Sequence, residues 1–288
     1  LAEARRREYA YEGKSRTEGC GTADMEEMND QSATEVKIVR IRNRQRSEEK
    51  DRVVTETPLT IFFNDREFVT LLCSPGKLDY LAVGFLRSEG LINTADDLDD
   101  INVDYQKGIV FVRTKTPADL VEKLYGKRTI TSGCGKGTLF FHVLDSLQSK
   151  RVESNLQINA ESLLKLMTTL QENSVLFKTT GGVHSAALAD RKEILFYSED
   201  IGRHNAVDKI VGECIIKNIP LDDKILLSSG RLSSEIVLKG AKLRLPLIVS
   251  RSAPTSLSVE LAEQTGITLV GFARGRRLNI YSHDYRIV

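Results

Sequence analysis

Cysteine is scarce in this chain: four residues in 288, at positions 20, 73, 134 and 214, with no two in a C-x-x-C pair. That is too few for a disulfide scaffold in a protein of this length, so each cysteine has to be judged by its own surroundings. Long apolar runs are also missing. None approaches the roughly 18 residues that a membrane-spanning helix requires, and the opening LAEARRREYAYEGK lacks the continuous apolar stretch of a secretory signal. The expected compartment is therefore the cytoplasm, with no membrane partner. Charge of one sign is the third absence: 41 Lys and Arg against 40 Asp and Glu leave a net charge of +1. That balance argues against a general electrostatic grip on nucleic acid. No internal repeat or low-complexity tract is visible.

What is present is an ordinary globular composition, 41% hydrophobic and 28% charged, over a length that suggests about two domains. Charge is concentrated at the start, where residues 1–52 carry twelve basic and twelve acidic side chains. Such a segment cannot bury enough apolar surface to offset its ordering entropy, and residues 1–33 read as a mobile extension. VKIVRIR, from Val36, alternates apolar and basic residues as a solvent-edged strand does, and the continuously packed part is expected to begin near Asp51. TPLTIFF and EFVTLLC flank Asn64, Asp65 and Arg66 as a hairpin. Leu78, Leu81, Ala82, Phe85 and Leu86 fall on one helical face that Gly90 terminates. GIVFVRT reads as a strand and residues 120–125 as a short helix, so residues 34–130 form a smaller α+β lobe. The Gly-rich TSGCGKG segment and a following helix occupy 131–150. From 151 to 288 strands and helices alternate: HSAALAD and EILFYSED, a helix over 203–217, KILLSS, the helix SSEIVLKGAKLR, LPLIVS, a helix after Pro254 that stops at Gly266, then ITLVGFA and LNIYS. This rhythm predicts an α/β fold with a mainly parallel sheet between helices.

Among residues that could carry chemistry, Cys134 stands out. Gly133, Gly135 and Gly137 surround it, and Lys127, Arg128 and Lys136 lie close in sequence, a setting that favours an accessible thiolate. Cys73 and Cys214 lie on apolar faces and read as core; Cys20 reads as incidental. The histidines are His142, His184, His204 and His283. His184 and His204 each superficially fit the H-x-E of a zinc deaminase, but Ala186 and Ala206 stand where the glutamate belongs, and no P-C-x-x-C follows. A tetrahedral zinc needs about three protein ligands, and here there is one at most, so no metal site is expected. The small-residue turns Thr179–Gly182 and Ser228–Arg231 suit anion binding by backbone N–H groups. Between Lys239 and Arg277 seven basic residues (239, 242, 244, 251, 274, 276 and 277) face only Glu260 and Glu263. That excess suits a compact polyanion such as a dinucleotide.

Seven stretches then carry a resemblance: TETPLTIFFN, TSGCGKG, TTGGVHSAAL, SEDIGRHNAVDKIVG, LLSSGRLSSEIVLKGA, IVSRSAPTSLSVELA and GFARGRRLNIY. In order from about residue 51 onward, they resemble the formate dehydrogenase accessory protein family, the FdhD-type sulfurtransferases. The resemblance implies a cytidine-deaminase-like sheet with flanking helices, without the zinc chemistry. It also implies transfer of sulfane sulfur from a cysteine desulfurase to the molybdenum of bis-molybdopterin guanine dinucleotide, bound as substrate with GDP as a mimic, for use by formate dehydrogenase; it admits a homodimer. Carried over by position, Cys134 matches the persulfide-bearing loop cysteine. Phe272, Ala273, Arg274, Gly275, Arg276 and Arg277 match the segment that contacts the guanine dinucleotide. Gly137 stands where the family's loop often has a second cysteine, so a cysteine-to-cysteine relay within this loop has no second member. Two other readings of the same residues are a non-catalytic cofactor chaperone and a degenerate nucleotide deaminase.

Overall fold

The computed structural model describes residues 32–115 and 151–288. Residues 1–31 of the extension expected over 1–33, the helix expected at 120–125 and the cysteine loop and helix of 131–150, Cys134 included, lie outside the described residues; the last two residues of that extension are ordered, with Ser32 buried and Ala33 opening the first strand.

Packing starts earlier in the chain than Asp51. β1 (Ala33–Arg42) and β2 (Gln45–Val54) form an antiparallel hairpin in full register from Ala33 opposite Val54 to Arg42 opposite Gln45. Its two-residue turn places Asn43 and Arg44 at φ 51° and 68°, the left-handed pair that matches strand twist. Arg40 on β1 holds Glu49 at 2.9 Å and Asp51 at 2.7 Å across the pair. The charged composition of β2 hides it from a hydrophobic pattern; cross-strand charges hold it instead.

β3 (Thr57–Phe63) and β4 (Arg66–Cys73) make a second hairpin through Asn64 and Asp65, again both left-handed. β5 (Leu98–Asp104) and β6 (Ile109–Thr114) complete a four-stranded sheet of order β4-β3-β6-β5. Alternation on β3 sends Leu59, Ile61 and Phe63 inward against α1 (Leu78–Glu89), whose Leu81 and Leu86 share their core. Gly90, at φ 81°, ends the helix by donating to the Arg87 and Leu86 carbonyls.

The second sheet has six strands: β7 (His184–Ala189), β8 (Ile194–Asp200), β9 (Ile225–Ser228), β10 (Leu247–Ser250), β11 (Thr268–Arg274) and β12 (Arg277–Ser282), ordered β12-β11-β10-β9-β7-β8. The expectation of a mainly parallel sheet is corrected here. Only the β9–β10 and β10–β11 pairings are parallel, and the other three are antiparallel. Helices do cover both faces. On one, Leu163, Leu166 and Leu170 of α2 (Ala160–Glu172) meet Ala187, Leu227 and Val249. On the other lie α4 (Arg203–Ile216), α5 (Ser234–Lys242) and α6 (Ser256–Thr265), whose Val207, Ile236 and Leu261 meet Ala186, Leu226 and Ile248. Consecutive residues of β9 and β10 thus serve different cores. That is why these strands read as unbroken apolar runs. A short helix, α3 (Val175–Thr180), bridges α2 and β7. No helix among the described residues is long and apolar enough to cross a membrane.

The two sheets are joined where α1 crosses α4. A β-carbon at Gly84 would lie 1.8 Å from the Asp208 carbonyl oxygen, and one at Gly212 would lie 1.9 Å from that of Tyr80. Glycine at both positions lets the two helix backbones touch.

Candidate functional site

At the carboxyl ends of β9 and β10, where open α/β sheets bind ligands, the chain forms a cleft of about 630 Å³. One wall comes from the turn after α3 and the start of β7, with Gly181, Gly182, Val183, His184 and Ser185. The turns after β9 and β10 supply Ser229, Arg251, Ser252 and Ala253, and β11 supplies Phe272 and Arg274. Both small-residue turns singled out in the sequence therefore meet at one place.

Serines hold that place in shape. The Ser229 N–H donates to the Ser185 carbonyl at 2.9 Å, and the Ser185 N–H to Ser229 Oγ at 2.8 Å. Ser250 Oγ donates to the Gly230 carbonyl at 2.6 Å. These bonds correct the expectation of backbone anion binding. The Gly230 N–H is taken by Ser228 Oγ, the Gly181 N–H by the Phe177 carbonyl and the Gly182 N–H by Thr180 Oγ1. What the cleft presents to an anion is side chains.

Those side chains are cationic. Arg251 and Arg274 line the cleft, and neither makes an ion pair among the described residues. The rest of the basic run is split up: Lys239 is bound to Asp208 at 2.6 Å, and Lys242 donates to the Ser88 carbonyl. Phe272 sits in an irregularity of the β11–β12 pairing between Gly271 and Arg274, and its φ is 52°. A left-handed backbone costs a bulky residue of order 1–3 kcal/mol and persists where its surroundings enforce it. Here the Phe272 N–H is fixed at 3.1 Å to the Ser252 carbonyl, and the half-buried ring lines the cleft with the Arg274 guanidinium 6.0 Å from its centre. Of the other residues in that segment, Ala273 is buried in the sheet core, Gly275 makes the turn at φ 61°, and Arg276 and Arg277 are exposed beyond it.

Sequence reading missed the supports on either side. Glu199 of β8 accepts the Leu176 and Phe177 N–H groups at 3.0 and 2.9 Å, which anchors α3 and so places Phe177, Gly181 and Gly182 at the rim. Arg203, the first residue of α4, lies against Gly230, where a β-carbon would stand 2.9 Å from Arg203 Cβ and 3.5 Å from His184 Nδ1. Burial, then Arg203 and Arg231, push the His184 pKa down, so its imidazole is neutral at pH 7. His204 is pushed down to about 3, by burial first and then by Lys239 and Arg203. Its Nε2–H donates to Glu235 at 3.0 Å.

The motif SEDIGRHNAVDK is anchored by a buried pair, Lys209 Nζ to Asp200 Oδ2 at 2.7 Å, with the two side chains 2% and 0% exposed. The same carboxylate accepts from Ser74 N at 3.1 Å, Gly202 N at 2.9 Å and Asn205 Nδ2 at 2.9 Å. Asp200 thereby ties the end of the β3–β4 hairpin to the start of α4. Replacing Lys209 by methionine leaves that carboxylate buried and uncompensated. The expected cost is about 3–5 kcal/mol, read as a lowered urea midpoint with an unchanged denaturant slope.

Cys73 and Cys214 are both buried and free, and burial pushes both thiols up to about 12. Neither is a thiolate at neutral pH.

Comparison with known proteins adds to this geometry. The model of the FdhD/NarQ family matches residues 54–288. The sulfur carrier protein FdhD of Bacillus pumilus is 46% identical over 237 residues, covering 82% of this chain and 90% of that protein. The sulfur carrier protein FdhD of Bacillus subtilis is 42% identical over 260 residues, covering 90% and 99%. A solved structure assigned as a formate dehydrogenase accessory protein, from Desulfotalea psychrophila, superposes with a TM-score of 0.74 at 28% identity, covering 89% of this chain and 99% of that one.

Proposed function

This chain belongs to the FdhD/NarQ family, and from that membership together with the cationic cleft we propose that it is a sulfur carrier acting on a guanine-dinucleotide form of the molybdenum cofactor. The Cys134 thiolate attacks the terminal sulfur of a cysteine desulfurase persulfide. The donor S–S bond breaks, the desulfurase thiolate leaves, and Cys134 holds the new persulfide. The second transfer breaks that S–S bond and restores the Cys134 thiolate. The terminal sulfur goes to the molybdenum of the substrate, which supplies the two electrons that make it sulfide. Formate dehydrogenase then receives the sulfurated substrate.

The observation that carries this reading is the pairing of Phe272 with Arg274 on the wall of a cleft whose arginines have no acidic partner among the described residues. An aromatic face suits a purine, and arginine forks suit its phosphates. The inertness of Cys73 and Cys214 supports Cys134 as the carrier. The surrounding α/β sheet also supports the deaminase-like architecture that the family resemblance implies. The test is peptide mapping by mass spectrometry after incubation with a cysteine desulfurase and free cysteine. One added sulfur is expected on the peptide containing Cys134. Label on the Cys73 or Cys214 peptides instead would overturn the proposal.

A further inference from the structure

The β1–β2 hairpin takes no part in the interior of the fold. None of its residues belongs to the three hydrophobic cores, and it pairs with neither larger sheet among the described residues. The family match begins at residue 54, where the hairpin ends. The ribbon is nevertheless braced along its length. Arg40 holds Glu49 and Asp51 on one face, and Lys50 holds Glu35 at 2.6 Å on the other. This neutralisation stops at the tip. Residues 40–47 read RIRNRQRS, without an acid, and Arg42, Arg44 and Arg46 are exposed with no ion pair among the described residues. On the face away from Arg40 the register sets Val39 opposite Glu48 and Ile41 opposite Arg46. Val39 and Ile41 are 52% and 63% exposed. At its other end the ribbon reaches the cleft: β2 packs on α3, and a β-carbon at Gly182 of the rim would stand 2.8 Å from Val54 Cγ1.

A two-stranded ribbon is marginal on its own, and arginines beside exposed aliphatic side chains have the composition of a protein contact. Nucleic acid is the poorer match, because Glu35, Glu48, Glu49 and Asp51 on the rest of the ribbon repel a phosphate backbone. Complementary charge points to a protein surface whose carboxylates surround an apolar depression. We propose that Arg42, Arg44 and Arg46, with Val39 and Ile41, form a docking arm for the protein that takes over what the cleft holds. That this partner is formate dehydrogenase rests on the carrier reading above. Position favours the recipient over the sulfur donor. The ribbon is about 30 Å long, so a partner of ordinary domain size that grips the tip is held against the rim of the cleft. A tip this small buries less than a standard interface, and the contact is therefore steered by charge and short-lived.

Biolayer interferometry on the full chain tests it, with formate dehydrogenase prepared without its molybdenum cofactor and a cysteine desulfurase as separate analytes. The variants are Arg42→Glu, Arg44→Glu and Arg46→Glu combined, the milder glutamine triple at the same positions, and Ile41→Ser. All four positions are exposed, and thermal melts confirm the fold. Charge reversal should weaken formate dehydrogenase binding by a factor on the order of 100, and the glutamine triple and Ile41→Ser by about tenfold each. Wild-type affinity should fall as salt rises. Desulfurase binding and sulfur loading should stay at wild-type levels in every variant. Unchanged formate dehydrogenase affinity after charge reversal would overturn the arm, as would a wild-type protein that does not bind that enzyme. A loss confined to the desulfurase, or arm-dependent binding of duplex DNA or RNA in place of the enzyme, would overturn it equally. Sulfur loading is the independent readout. If sulfur loads on Cys134 while the variants bind normally, the arm falls and the carrier reading stands. Arm-dependent binding of formate dehydrogenase without sulfur loading gives the reverse.

Discussion

A Cys134→Ser protein should bind GDP as tightly as the wild type, carry no sulfur after desulfurase treatment, and fail to activate formate dehydrogenase. The oxygen nucleophile cannot form a persulfide, and no described cysteine can replace it, because Cys73 and Cys214 are buried thiols pushed up to about 12. At pH 7 that leaves on the order of one thiolate in 10⁵, without counting the loss of access. Unchanged GDP affinity shows that the fold and the cleft survive, so the loss is confined to sulfur. A passive cofactor chaperone behaves differently, since it would still activate formate dehydrogenase with serine at 134. Activation at more than a few per cent of wild type in that assay counts against the carrier mechanism.

The second large effect is structural. Gly212→Ala should destabilise the protein by about 3 kcal/mol, the upper range for forcing extra atoms into a packed site, although alanine is the better helix former by about 1 kcal/mol. The added methyl would stand 1.9 Å from the Tyr80 carbonyl oxygen, and that carbonyl is backbone, so α1 and α4 must separate. Separation loosens every contact that spans the crossing, including Ser88 Oγ to Asp208 at 2.7 Å and Lys77 Nζ to Glu213 at 2.8 Å. A chemical denaturation curve gives the magnitude. The direction is distinctive, because alanine at an ordinary exposed helical glycine would stabilise. An unchanged or raised midpoint would mean that the helices do not cross this closely.

Much of this was legible because local signals and tertiary outcome agree. The β-rich runs on either side of Asn64 and Asp65 marked the β3–β4 hairpin, and Gly90 and Gly266 ended their helices at left-handed caps. Strand direction was legible only where a short turn joins neighbours, as between β7 and β8; the antiparallel β7–β9 pairing, with α4 between the two strands, is encoded by no local pattern. β5 went unread because Asp99, Asp100 and Asp104 in LDDINVD mask its pattern, yet β6 pairs with it along its length. The site shows the same limit. Phe272 and Arg274 were marked by the family motif, whereas their meeting with Gly181, Gly182 and Ser229 around one cleft comes only from the fold. Conversely, Lys239 and Lys242 belonged to the basic run on paper and are bound to Asp208 and the Ser88 carbonyl in the fold.

The unpaired arginines have a consequence for how the protein persists before it works. Arg251 and Arg274 line one cleft and make no ion pair among the described residues, so with no anion beside them their repulsion opposes the compact state. Whatever anion relieves it binds the folded chain alone, and occupancy then adds directly to resistance against unfolding. At a hundred times its dissociation constant such an anion contributes roughly 2.7 kcal/mol, a sizeable share of the 5–15 kcal/mol typical of a whole domain. Quality control in a cell samples the unfolded fraction. Under the function proposed above, the abundance of this protein would be coupled to the supply of the phosphate-bearing substrate it carries sulfur to.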